Sequence, residues 1–113
     1  MKTDKTVKEK EVAIQNKIRI ELSKLGVLTF RNNTGWASQE RTKYGLCNGS
    51  SDIIGILPDG RFLAIEVKTT GKKPTIKQLN FIRAVCNHNG VAFHTDSVAH
   101  CIAVILDQIR KVK

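Results

Sequence analysis

The stretch Asp52–Thr69, DIIGILPDGRFLAIEVKT, decides the fold. Two apolar, β-branched runs, 52–57 and 61–69, flank Pro58, Asp59 and Gly60. Proline presets the backbone of the first turn position and Gly accepts the left-handed conformation, so the spacing predicts a β-hairpin with a three-residue loop and a bulge. Such a loop pairs Leu57 with Arg61 and sets Asp52 directly opposite Glu66. Cross-strand neighbours have Cβ atoms about 4.5–5.5 Å apart on one face, so two carboxylates meet in an otherwise apolar hairpin. Lys68 shares the face of Glu66, while Leu63, Ile65 and Val67 take the other face as core.

Upstream, Ile14, Ile18, Leu22 and Leu25 form one stripe of an amphipathic helix over Val7–Leu25, ended by Gly26. At about 100° per residue Glu11 falls in line with that stripe, whereas Glu9 and Glu21 fall off it. Residues 1–6 read as a flexible basic tail, and Val27–Arg31 as a strand. Residues 32–49 are polar and long for a plain connection, which marks Asn33, Gly35, Trp36 and Arg41, with Arg31 at their edge, as DNA contacts. Downstream, a loop carrying Lys72 and Lys73 leads to a helix over Thr75–Asn89, with Thr75 as N-cap, Lys77 in its first turn and Gly90 just past its end. Val91–Thr95 is a further strand. The closing helix starts near Ser97, and its run Cys101–Leu106 is apolar on more than one face, wide enough to offer part of itself to a second chain.

At 113 residues the chain suits one domain spanning 1–113, and its net charge of +9 favours a polyanionic partner, nucleic acid first. No apolar run reaches the 18 or so residues of a membrane span and the N-terminus lacks a signal-peptide centre, so the expected location is the cytoplasm, away from membranes. The three cysteines form no C-x-x-C pair and no histidine stands at ligand spacing from them, which argues against a disulfide framework and a zinc site.

Gathering Asp52, Glu66 and Glu11 is economical if they serve a hard divalent cation, and Mg2+ held by one or two carboxylates plus a substrate phosphate is the usual arrangement. The chemistry that follows is phosphodiester hydrolysis, with Lys68 holding water or balancing charge. Each residue also has a plainer reading. Five Glu and 13 Lys give about 0.6 E-x-K triplets by chance. Asp52, Glu66 and Lys68 alternatively form an exposed cross-strand ladder, Glu11 a helix rim, and Gln78 a capping box with Thr75. Lys72, Lys73 and Lys77 alternatively only solubilise, and Trp36 covers the core edge instead of stacking on a base.

Taken in order, Glu11 and Gln15, then Gly49-Ser50-Ser51-Asp52, then Glu66-Val67-Lys68, then Gln78, resemble the VRR-NUC family of the PD-(D/E)xK nuclease superfamily, in its short stand-alone phage and bacterial form. The resemblance runs from Glu11 through the strand at Val91. It implies an α/β, restriction-endonuclease-like core, a mixed sheet flanked by helices in a single domain, in a bacterial or phage-infected cell. It further implies Mg2+, with Mn2+ as a substitute, held by Glu11, Asp52, Glu66 and the main-chain carbonyl of Val67. Lys68 is then catalytic alongside Asp52 and Glu66, with Gln78 supporting the site. Ser51 stands where the superfamily name has proline. The activity so implied is on branched DNA, and the first reading is a structure-selective endonuclease, a homodimer resolving four-way (Holliday) junctions because two nicks need two sites. The alternatives are a flap or nicked-duplex nuclease, or a non-catalytic basic nucleic-acid-binding protein.

Overall fold

The computed structural model describes residues 4–32, 35–37 and 42–111. Its elements are α1 (Asp4–Lys24), β1 (Leu28–Arg31), β2 (Gly35–Ala37), β3 (Thr42–Tyr44), β4 (Ile53–Ile56), β5 (Phe62–Val67), α2 (Ile76–Asn87), β6 (Val91–Thr95) and α3 (Val98–Arg110). The hairpin β4–β5 has the register its loop predicts, with Ile53 opposite Ile65 and Ile56 opposite Phe62. Gly60 N–H donates to the Leu57 carbonyl (2.8 Å) and Leu57 N–H to that of Arg61 (3.0 Å), closing a turn in which Gly60 has φ +94°.

β1 pairs antiparallel with β4, and β6 pairs parallel with β5, which gives the mixed sheet order β1-β4-β5-β6. One sheet face carries α1 and α3. Ile18 and Leu22 of α1 and Cys101 and Ile105 of α3 pack there on Ile53, Leu63, Ile65, Val67 and Val91, the apolar core. Burial pushes the Cys101 thiol up to about 12, so it packs as a small hydrophobe. The width of the apolar surface on α3 is explained inside the domain, because this helix faces both α1 and β6. The other sheet face is covered by α2 only over β5 and β6.

Several sequence expectations need adjustment. Helical backbone begins at Asp4, so residues 4–6, expected in a tail, are the first turn of α1. A first helical turn needs only helix-compatible residues and no apolar anchor. Residues 32–49 are not all loop, since β2 and β3 form a small hairpin with Trp36 opposite Lys43. α2 ends at Asn87, and Asn89, not glycine, takes the left-handed position (φ 68°). Asn89 N–H donates to the Cys86 carbonyl and Gly90 N–H to that of Val85, a Schellman closure with Gly90 one residue later than the usual glycine. Among the described residues no helix is long and apolar enough to cross a membrane.

Candidate active site

The register places Asp52 at the entry of β4, across from Glu66 near the end of β5. Asp52 Oδ2 accepts from Val67 N–H at 2.9 Å, which anchors the acid on the strand that carries Glu66. Glu66 is 2% exposed, and among the described residues its Oε1 has no hydrogen-bond partner. Its other oxygen, Oε2, accepts from Gln78 Nε2 at 3.2 Å and lies 3.9 Å from Lys68 Nζ. Burial first, then the Asp52 carboxylate, push the Glu66 carboxyl up to about 9; Lys68 pulls against them and Glu11 adds to them. A ladder of exposed ion pairs does not describe this pair, since its acid is out of water and its lysine is at the limit of contact.

Glu11 projects from α1 toward the same region, and its Oε2 accepts from Thr69 N–H (3.1 Å), just beyond β5. An open cleft of about 500 Å³ is lined by Glu11, Asp52 and Gln78, with Lys8, Gln15 and Arg31 along it. Among the described residues no three His, Cys, Asp or Glu side chains are gathered as a ready metal cage. Mg2+ does not require one, because it keeps waters and takes one or two carboxylates plus phosphate oxygens. A buried carboxyl with an oxygen that lacks a partner among the described residues, beside a second carboxylate, is a hard-oxygen donor set that fits such an ion.

Gln78 performs both of the tasks the sequence set against each other. Its Oε1 accepts from Thr75 N–H (2.8 Å) while the Thr75 hydroxyl accepts from Gln78 N–H, completing the capping box, and its Nε2 reaches Glu66. Gln78→Glu therefore keeps the cap but replaces the amide that donates to Glu66 by a carboxylate, which cannot donate to it and opposes the ionisation that a cation requires. We expect it to lower cleavage in Mg2+, as read by a gel assay. Full activity would reduce Gln78 to a cap.

The segment leading into Asp52 is held by Asn32, which the sequence reading passed over, and by contacts of its own. Asn32 Nδ2 donates to Ser50 Oγ (2.7 Å) and to the Ser51 carbonyl (2.9 Å), and Asn32 N–H donates to the Asp52 carbonyl (2.8 Å). Ser50 Oγ in turn donates to the Cys47 carbonyl at 2.7 Å. Gly49 has φ +87°, and a Cβ there would lie 2.7 Å from the Lys77 backbone, so the loop rests directly on the first turn of α2. Gly49→Ala should cost about 1–2 kcal/mol from the left-handed backbone alone. By shifting Asp52 it should also cut cleavage about 100-fold. Denaturant melts and single-turnover rates check both numbers.

The remaining expected residues divide between places. Arg31 is exposed on the cleft wall, whereas Lys72 lines a separate hollow beyond Lys68, Lys73 is exposed ahead of α2 and Lys77 is exposed in its first turn. Asn33 and Arg41 lie outside the described residues, and of Trp36 only its place in β2 is described. Lys8, one helical turn before Glu11, was missed, although that spacing puts it on the same helix face. Ser51, which holds the place of proline, has a fully buried hydroxyl without a partner among the described residues.

Residues 9–99 match the VRR-NUC domain family. A solved structure described as a VRR-NUC domain is similar at 25% identity with a TM-score of 0.63, over 85% of this chain and 94% of that one. No curated protein matches the chain. Because the family match takes in Glu11, Asp52, Glu66, Lys68 and Gln78 together with the sheet that assembles them, the chain belongs to the VRR-NUC family of nuclease-type domains.

Proposed function

We propose that this protein is a divalent-metal-dependent DNA endonuclease that cuts branched DNA, four-way junctions above all, as a homodimer. The observation that carries the hydrolytic part is the buried Glu66 carboxyl, pressed against Asp52, with one oxygen that has no hydrogen-bond partner among the described residues. Such an arrangement destabilises the fold without a cation. Mg2+, or Mn2+ in its place, would be held by Asp52 and Glu66, with Glu11 and the Val67 carbonyl completing the set. When bound it supplies charge that polarises a phosphoryl oxygen and acidifies a water. Lys68, next to Glu66, orients the attacking water and offsets the charge that builds on the phosphate. Gln78 holds Glu66 Oε2 in place, and Lys8 and Arg31 draw the strand into the cleft.

Dimerisation is supported by the uncovered half of the sheet. Leu28, Ile56 and Phe62 stand in one cross-strand row, and Phe30 and Ile54 in the next. Leu28, Phe30, Ile56 and Phe62 are 39–54% exposed. This grid has no charged member, so on a chain of +9 it is where a second copy would approach with little repulsion.

A panel of linear, nicked, flapped and four-way DNA, each with EDTA, Ca2+, Mn2+ or Mg2+, tests the reading. We expect cutting in Mg2+ and Mn2+, preference for the junction, and binding without hydrolysis in Ca2+, whose looser and higher coordination suits this geometry less. Equal cutting of flaps and junctions would remove the junction assignment and leave the nuclease. Binding that ignores every metal, with no cleavage, would leave only a basic DNA-binding protein.

A further inference from the structure

A second hollow, of about 260 Å³, lies at the carboxyl ends of β5 and β6 and is lined by Lys68, Thr69, Lys72, His94, Thr95 and His100. It collects two lysines and two histidines, all able to donate to an anion, and it opens at the amino end of α3, where the helix dipole is positive. Its floor is fixed. Thr95 is 3% exposed, and its hydroxyl meets His100 Nδ1 at 2.7 Å while the Phe93 ring meets the imidazole edge-on at 6.1 Å. The one acid on its rim, Asp96, accepts from the Thr70 hydroxyl at 3.1 Å.

The hollow adjoins the carboxylate cleft through two consecutive residues. Lys68 lines it while its Nζ lies 3.9 Å from Glu66, and Thr69 lines it while its N–H is bonded to Glu11. A strand carries one phosphate about every 3.4 Å of helix rise, so DNA held at Glu66 must place a neighbouring phosphate close by. We propose that this hollow is a second phosphate subsite, in which Lys72 and His94, with His100 behind them, take the phosphodiester adjacent to the one that is cut. The assignment rests on the nuclease reading for the DNA strand it serves; the hollow itself supplies the donors for an oxyanion. Occupancy there would fix the register of the strand, so that a single phosphate faces Glu66 and Lys68.

The test uses equilibrium binding without divalent metal, so it does not depend on hydrolysis. Four-way junctions carrying one uncharged methylphosphonate, moved outward from the branch position by position so that the branch fixes the register, are titrated with the whole protein and with the double variant Lys72→Ala/His94→Ala. Both side chains are exposed, and an unchanged melting temperature shows that the variant is folded. For the wild type we expect one position at which the neutral linkage weakens binding about tenfold, as loss of a charge-assisted hydrogen bond should. The variant should bind every junction alike, and its dependence of log K on log salt should be shallower by about 1. A variant that keeps both the sensitive position and the salt slope overturns the subsite, as does a wild type with no sensitive position. Failure of the nuclease reading shows separately, as absence of cleavage in Mg2+ by a protein that still passes the binding test.

Discussion

Glu66→Gln should abolish cleavage, by at least about 1,000-fold in single-turnover rate, while making the metal-free protein more stable. The two effects come from one cause. Gln is nearly isosteric with the protonated acid: its amide oxygen accepts from Gln78 Nε2 as Glu66 Oε2 does, and its amide nitrogen donates toward Asp52. It therefore keeps the contacts of the neutral carboxyl and removes the charge that a cation needs. Between pH 4.5 and about 9 the native carboxyl keeps a proton that the unfolded chain releases. Stability of the metal-free wild type is therefore fully present below about 4.5 and falls as pH rises toward 9. Each unit of that range is worth about 1.4 kcal/mol at most, so the gain on substitution grows with pH. We expect Glu66→Gln to raise the melting temperature by roughly 5–10 °C at pH 8 and hardly at all at pH 4.5. Retained turnover in Mg2+ would end the metal reading. A variant less stable than wild type at pH 8 would mean that Glu66 is not burdened by its surroundings.

The same linkage makes cation binding release a proton, because carboxylates bind metal only when ionised. Mg2+ should consequently raise the melting temperature of the wild type more than that of Glu66→Gln, and calorimetry in buffers of different ionisation enthalpy should detect the proton. Asp52→Asn is a weaker probe. Asp52 Oδ2 already accepts from Val67 N–H, so relief from repulsion is partly offset by a poorer acceptor there.

The centre of this site was legible because a local rule governs it. Pro58-Asp59-Gly60 sets the loop, the loop sets the register, and the register sets Asp52 against Glu66. Glu11 followed from helical periodicity alone. Asn32 was not legible, since its partners Ser50 and Ser51 lie 18 and 19 residues away and no pattern links them. The dual service of Gln78 was only half visible, because the capping box is local whereas the bond to Glu66 depends on α2 lying over β5. The surplus of apolar residues in α3 was correctly seen as more than one stripe, but sequence does not say which neighbour uses the second one. That neighbour is α1. Leu28, Phe30, Ile56 and Phe62 instead leave exposed apolar surface on β1, β4 and β5.

Ile56→Glu should turn a dimer into a monomer without unfolding it. Ile56 sits between Leu28 and Phe62 in the cross-strand row and is 45% exposed, pointing away from the core that Ile53 and Leu57 enter. Substitution there removes no core contact, so the melting temperature of the monomer should change little. In a two-fold interface the new carboxylate would lie near its own copy and be stripped of water, at a cost of several kcal/mol. Wild-type protein at micromolar concentration should scatter light with about twice the 12.6 kDa chain mass, and Ile56→Glu with that of one chain. Cleavage separates the consequences further. Each subunit carries its own Asp52, Glu66 and Lys68, so the monomer should still nick DNA in Mg2+, but paired cuts in one four-way junction should give way to single nicks. A variant that stays dimeric would place the interface elsewhere, and a wild type that is monomeric yet makes paired cuts would detach junction resolution from dimerisation altogether.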